Sequence, residues 1–145
     1  MNLVPEKTFI PHPETGSAVR AVLVDIAPVK HEPPHAGPPA FRLVFESECT
    51  DPTGMRYGIW SRIYPPALHE HSALRRDLKK LLGRDFNPRE LEHFDPETLI
   101  GRGGHLLIEH ARSKKTGHLY ARIALMRPDQ PAIPPSGTYT RLKHR

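Results

Sequence analysis

Three strand-like runs, one capped amphipathic helix and two further strand-like runs succeed one another along this chain, and few folds accept that order. The first run, residues 18–27, alternates weakly. Val19, Ala21 and Leu23 share one face, and Arg20, Val22, Val24 and Ile26 the other. Apolar side chains on both faces predict a strand covered on much of its surface. In residues 40–47, Phe41, Leu43 and Phe45 alternate with Arg42, Val44 and Glu46. Asp51-Pro52-Thr53-Gly54 has the make-up of a tight turn, so this run pairs with the next, residues 55–64, as a hairpin. In that third run Met55, Tyr57, Ile59, Ser61 and Ile63 fall on one face, and Arg56, Gly58, Trp60, Arg62 and Tyr64 on the other.

The helix is predicted over residues 73–82. Ser72 can cap it, Leu74, Leu78, Leu81 and Leu82 form an apolar stripe, and Gly83 stops it. Asn87-Pro88 and Asp95-Pro96 each place a capping side chain before a proline, which predicts two short helical turns. The last two runs, 104–112 and 118–127, meet at Lys114-Lys115-Thr116-Gly117. In the second of them Leu119, Ala121, Ile123 and Leu125 alternate with Tyr120, Arg122, Ala124 and Met126. The order β-β-β-α-β-β is that of the OB-fold, a small barrel that binds oligonucleotides across one face. The expected fold is therefore mainly β: an OB-fold-like five-stranded barrel with one amphipathic helix between strands three and four.

The prolines divide the chain, because twelve of the 17 gather within residues 5–13, 28–39 and 128–135. Residues 1–16 read as an extended N-terminal arm, 17–127 as the barrel domain, and 128–145 as a flexible, Pro-rich basic tail with too little apolar surface to join a core. Residues 28–39 make a long first loop, where OB-folds often contact ligands. A single cysteine, Cys49, excludes an intrachain disulfide and fits a reducing compartment. No apolar run approaches the roughly 20 residues of a membrane span, and the N-terminus has no signal-peptide pattern. A cytoplasmic protein without a membrane partner is expected. The net charge of +5 says less than its placement, since residues 127–145 hold Arg127, Arg141, Lys143 and Arg145 against Asp129 alone.

Arginines and aromatic rings on one strand face suit a single strand of nucleic acid, whose bases stack on rings while cations track phosphates. The residues predicted to carry that binding are Arg42, Arg56, Trp60, Arg62, Tyr64, Tyr120 and Arg122, with Lys114 and Lys115 as a basic clamp at the hairpin tip. A plainer reading competes for each. Trp60 and Tyr64 can simply cover the barrel, the lysine tip can be a solvated turn, and the helix cations Arg75, Arg76, Lys79 and Lys80 read as a solvent face. The ten histidines, including His31 with His35 and His69 with His71, show no zinc-ligand spacing. Ser72, His69 and Asp77 lack a nucleophile elbow, and Glu46, Glu48 and Asp51 lack a nuclease motif. No enzyme, metal or cofactor is expected.

Leu68-His69-Glu70, Ser72, Leu74-Arg75, Asp77-Leu78, Gly83-Arg84, Phe86, Glu90-Leu91, Phe94-Asp95 and Leu99-Ile100-Gly101 resemble a group of small, mostly uncharacterised phage and prophage proteins. Those proteins are likened to single-stranded DNA-binding or replication-associated OB-fold proteins. The resemblance spans residues 40–127 and departs from the group at the first loop and the tail. It implies an OB-fold and a role in phage-type replication or recombination, and it carries over no catalytic residues. Together with the residue reading, it leads to an expectation of sequence-tolerant binding to single-stranded DNA, with RNA as the other candidate. The alternative is a non-catalytic interaction module that recruits a replication or recombination protein.

Overall fold

A computed structural model describes residues 12–29 and 39–145. Most of the proposed N-terminal arm, and the first loop with His31 and His35, lie outside the described residues. The protein is mainly β, with one antiparallel five-stranded sheet. In chain order its elements are β1 (Ala18–Pro28), β2 (Phe41–Thr50), β3 (Arg56–Trp60), helix α1 (Ala73–Leu82), short helix α2 (Pro88–Glu92), a 3-10 turn (Pro96–Leu99), β4 (Gly103–Arg112) and β5 (Leu119–Pro128). A final 3-10 turn spans Leu142–His144. The spatial strand order is β3-β2-β1-β4-β5. The edge strands β3 and β5 approach each other, but no ladder joins them and the sheet is not a closed barrel. No helix among the described residues is long and apolar enough to cross a membrane.

The inner face of the sheet carries the main core. Ala21, Leu23, Leu43, Phe45, Ile59, Leu106 and Ile108 pack against Leu74, Leu78 and Leu81 of α1. The helix starts where the Ser72 side chain accepts from the Arg75 amide, and it stops at Gly83, which takes a left-handed conformation at φ 73°. Helix and sheet meet closely at Gly104, where a Cβ would lie 2.6 Å from Leu81 Cδ1. A Cβ there would force the Leu81 side chain to shift within the tightly packed contact between helix and sheet.

Strict alternation fails at three places, each for the same reason. Leu23 pairs with Phe45 but Asp25 with Val44, so Val24 is an extra residue in β1. This bulge turns Ile26 to the core side, away from Val22 and Val24. In β5, Ala124 is the extra residue between Ile123 and Leu125, and Met126, not Leu125, joins the core. After β3, Val44 pairs with Trp60 while Phe41 bridges Tyr64, which leaves one more residue on the β3 side than on β2. The third strand is accordingly shorter than residues 55–64, and its exit changes phase.

The tail is the largest departure from the sequence reading. Residues 128–145 were expected to be flexible, yet they lie across the outer face of β1 and β2. Ile133 is buried with Val22, Val24, Ala27 and Val44, and Tyr139 and Leu142 pack on that cluster. Gly103 admits the chain closely: a Cβ there would sit 2.7 Å from the Asp129 carbonyl oxygen and 2.8 Å from Ala132 Cα. The apolar second face of β1 was the visible sign that something must cover it. Composition hid what does, because the tail's contribution is three scattered apolar side chains, Ile133, Tyr139 and Leu142, and a set of hydrogen bonds.

Candidate nucleic-acid interface

Asp25 holds the tail in place. It points to the outer face as a consequence of the β1 bulge and is only 1% exposed. Its carboxylate accepts from the Tyr139 hydroxyl (2.8 Å), Arg141 Nε (3.0 Å), and the amides of Leu142 (2.9 Å) and Ile26 (2.8 Å). Burial alone would raise its pKa, but these four donors outweigh burial and hold it below the usual carboxylate range. Arg141 also reaches Glu97 of the first 3-10 turn at 2.8 Å, which lowers that carboxyl too. Burial and the bond to Asp25 push the Tyr139 hydroxyl up to about 12.

These shifts have a definite sign. A carboxylate with a lowered native pKa binds more protons when unfolded, so its stabilisation is present above the unfolded value of about 4 and disappears as pH falls through the native one. Tail docking is therefore expected to hold from neutral pH down to about pH 5 and to weaken steadily below pH 4. Thermal melts across that range check it, with Asp25→Asn as the reference. The variant should lose the share of the parent's acid sensitivity that Asp25 contributes, with the shares of the other carboxylates held low, Glu97 and Glu90 among them, retained. An identical pH profile would show that Asp25 is not a responsible group.

Beside this clamp the predicted site residues take different positions. Trp60, at the end of β3, is 41% exposed on the outer face. Arg62 is exposed beyond it, with its guanidinium carbon 5.9 Å from the Tyr64 ring centre. Arg42 pairs with Ala27 on the outer face and is half-buried. Among the described residues, neither arginine has a carboxylate partner.

Tyr64 does not belong to that face. The extra residue after β3 turns it inward, where it is 1% exposed, packs on Phe41 and donates its hydroxyl to Asp77 Oδ2 at 2.7 Å. The same phase change leaves Ser61 buried, its hydroxyl accepting from the Leu43 amide (2.8 Å), and turns Ile63 out to solvent. Arg56 is on the predicted face but is engaged there. It donates to the Pro134 carbonyl at 2.6 Å and lies 3.7 Å from Glu46, so it grips the tail. Glu46 is itself buried and accepts from the Ser136 amide and hydroxyl.

The remaining candidates are on β5 and its hairpin. Tyr120 is 45% exposed on β5, and Arg122 beside it is paired with Glu109. Lys114 and Lys115 are exposed at the β4–β5 turn. β5 and β3 are the two edges of the ladder and approach each other, but none of these residues lines the groove beside Trp60. Ser72 and Asp77 have structural tasks as helix cap and as partner of Tyr64, and His69 is exposed.

What the structure does bring to Trp60 is the tail. A groove of about 550 Å³ runs between β3 and the docked chain, lined by Val44, Arg56 and Trp60 on one side and by Tyr139, Thr140 and Arg145 on the other. Sequence reasoning missed Tyr139 as a site residue and credited Arg145 only with diffuse charge. An acidic residue, Asp25, inside the otherwise apolar stretch from Ala21 to Pro28 was the available signal that a polar segment must dock there. No family model, curated protein or solved structure matches the chain.

Proposed function

We propose that this protein binds single-stranded nucleic acid, DNA in the first instance, with little sequence preference. The observation that carries the reading is Trp60: a half-exposed indole on an outer strand face, next to an exposed arginine and lining an open groove. A ring in that setting can stack on any base, and Arg42 and Arg62 are placed to meet phosphates. An OB-like fold is part of this proposal. The ladder β3-β2-β1-β4-β5, with the edges near each other but unpaired, fits the partly open form of that fold. A cytoplasmic role in phage-type replication or recombination is the setting suggested by the sequence resemblance.

The test is a titration of a labelled oligothymidylate by anisotropy at several salt concentrations. Trp60→Ala should cost about 1–3 kcal/mol of affinity by removing a stacking surface, with the salt slope retained. Arg62→Ala should weaken binding and flatten the log-affinity against log-salt slope by about 0.7, one phosphate contact on a single strand. A parent protein that fails to bind at low salt would overturn the proposal.

One observation favours a different use of this face. Met55 and Ile63 are at least as exposed as Trp60 and flank it along the chain, so the edge strand and its two ends form a strip of chain with three exposed apolar side chains. A non-catalytic interaction module would use that strip to hold a protein partner. Loss of partner capture in Met55→Ser and Ile63→Ser variants, with no oligonucleotide binding by the parent, would identify that role.

A further inference from the structure

We propose that the docked tail is the second wall of the nucleic-acid site, and that one nucleotide of the strand occupies the groove between Trp60 and the Tyr139–Arg145 pair. This inference rests on the single-strand reading above. Size permits it, since about 550 Å³ falls within the roughly 300–1,000 Å³ of small-ligand sites. Chemistry permits it as well, because the two walls supply different contacts. β3 offers the indole of Trp60, and the tail offers a guanidinium and a second ring.

The tail wall is prepositioned. Arg145 Nε donates to the Thr140 carbonyl at 2.9 Å, and its guanidinium carbon lies 5.4 Å from the centre of the Tyr139 ring. That ring is fixed in turn by its hydroxyl bond to the buried carboxylate of Asp25. The side chain that faces the groove is thus held by two contacts that leave its charge uncompensated: among the described residues no carboxylate lies within ion-pair distance of Arg145. The other groove cation, Arg56, is held by Glu46 and by the Pro134 carbonyl. It secures the tail, while Arg145 is the cation left to meet an anion.

A composite wall separates this arrangement from a tail that merely adds positive charge. Diffuse attraction would be spread over every tail cation, so Lys143 and Arg145 would matter equally. A built wall makes Arg145 matter and Lys143, which does not line the groove, matter little.

The experiment compares the parent, Trp60→Ala, Arg145→Ala and Lys143→Ala in titrations of a labelled oligothymidylate at several salt concentrations. Both tail residues are exposed, so melting curves of their variants should match the parent's. Arg145→Ala is expected to weaken binding about five- to tenfold, as loss of a placed cation would, and to flatten the salt slope by about 0.7. Lys143→Ala should stay within about twofold of the parent. If Arg145→Ala binds like Lys143→Ala while Trp60→Ala is impaired, the tail is no wall and the single-strand reading stands. If the parent binds no oligonucleotide, that reading fails and this inference with it.

Discussion

Removing residues 129–145 is expected to destabilise the folded protein by about 2–4 kcal/mol, the scale of uncovering a buried aliphatic side chain and leaving a buried carboxylate short of donors. That corresponds to roughly 10 °C in melting temperature for a domain of this size. The segment covers Val22, Val24 and Val44, which are almost fully buried in a cluster that includes Ile133, with Tyr139 and Leu142 packed on it. Burying one such aliphatic side chain is worth about 1.5–3 kcal/mol. Hydrogen bonds to charged groups add about 1.5–3 kcal/mol each where they are buried, as those from Tyr139, Arg141 and Leu142 to Asp25 are. Against this stands the cost of ordering a Pro-rich segment, which its prolines reduce by restricting the free chain. Ile133→Ala should reproduce part of the loss by opening the apolar contact alone. A truncated protein that melts with the parent would show that the tail is held by nothing of consequence, and the wall it forms beside Trp60 would lose its basis.

Leu78→Ala is expected to cost about 2–5 kcal/mol, the usual range for a buried leucine whose cavity cannot fully collapse. Leu78 is completely buried in the middle of α1, between Leu74 and Leu81, against the inner face of the sheet. Its surroundings are stiff. Gly104 brings the β4 backbone up against Leu81, and Tyr64 is fixed by its bond to Asp77 of the same helix. Relaxation into the cavity is therefore limited, which places the expected value in the upper part of the range. Urea unfolding of the two proteins measures it. Arg75→Ala is the informative comparison, because Arg75 is not the free surface cation that its place on the polar face suggests. It donates to both oxygens of Asp85 (3.1 and 3.3 Å) and to the Leu68 carbonyl, tying the helix entry to its exit loop. It should cost less than Leu78→Ala but remain measurable, and an Arg75 variant harmed more than the leucine variant would mean that the loops, not the stripe, hold α1.

Alternation and caps are local properties, and so the strands and the leucine stripe of α1 could be read from the chain. Phe41, Leu43 and Phe45 repeat at the period of a strand and are buried; Leu74, Leu78 and Leu81 repeat at the period of a helix and are buried. The candidate face was legible in the same way as far as Trp60 and no further. Beyond that residue a single extra position in the chain reversed the outlook of Ile63 and Tyr64. Tyr64, predicted on the binding face, became core, and Ile63, predicted in the core, became surface. Nothing in a strand's own composition announces such a bulge, because its stabilisation comes from the partner strand's hydrogen bonds, here those between Phe41 and Tyr64.

The tail marks the same boundary at larger scale. By its own composition it cannot form a core, and on that ground it was assigned no packing role. Its place is decided elsewhere, by an apolar outer face on β1 and β2 and by buried carboxylates of Asp25 and Glu46 that need donors. The sequence by itself determined the periodic elements, since periodicity acts between residues a few positions apart. Only the tertiary structure decided strand phase, the burial of Tyr64 and the docking of residues 129–145. Those depend on which distant group meets each unpaired donor, acceptor or apolar face, and pairing of that kind leaves no period in the chain.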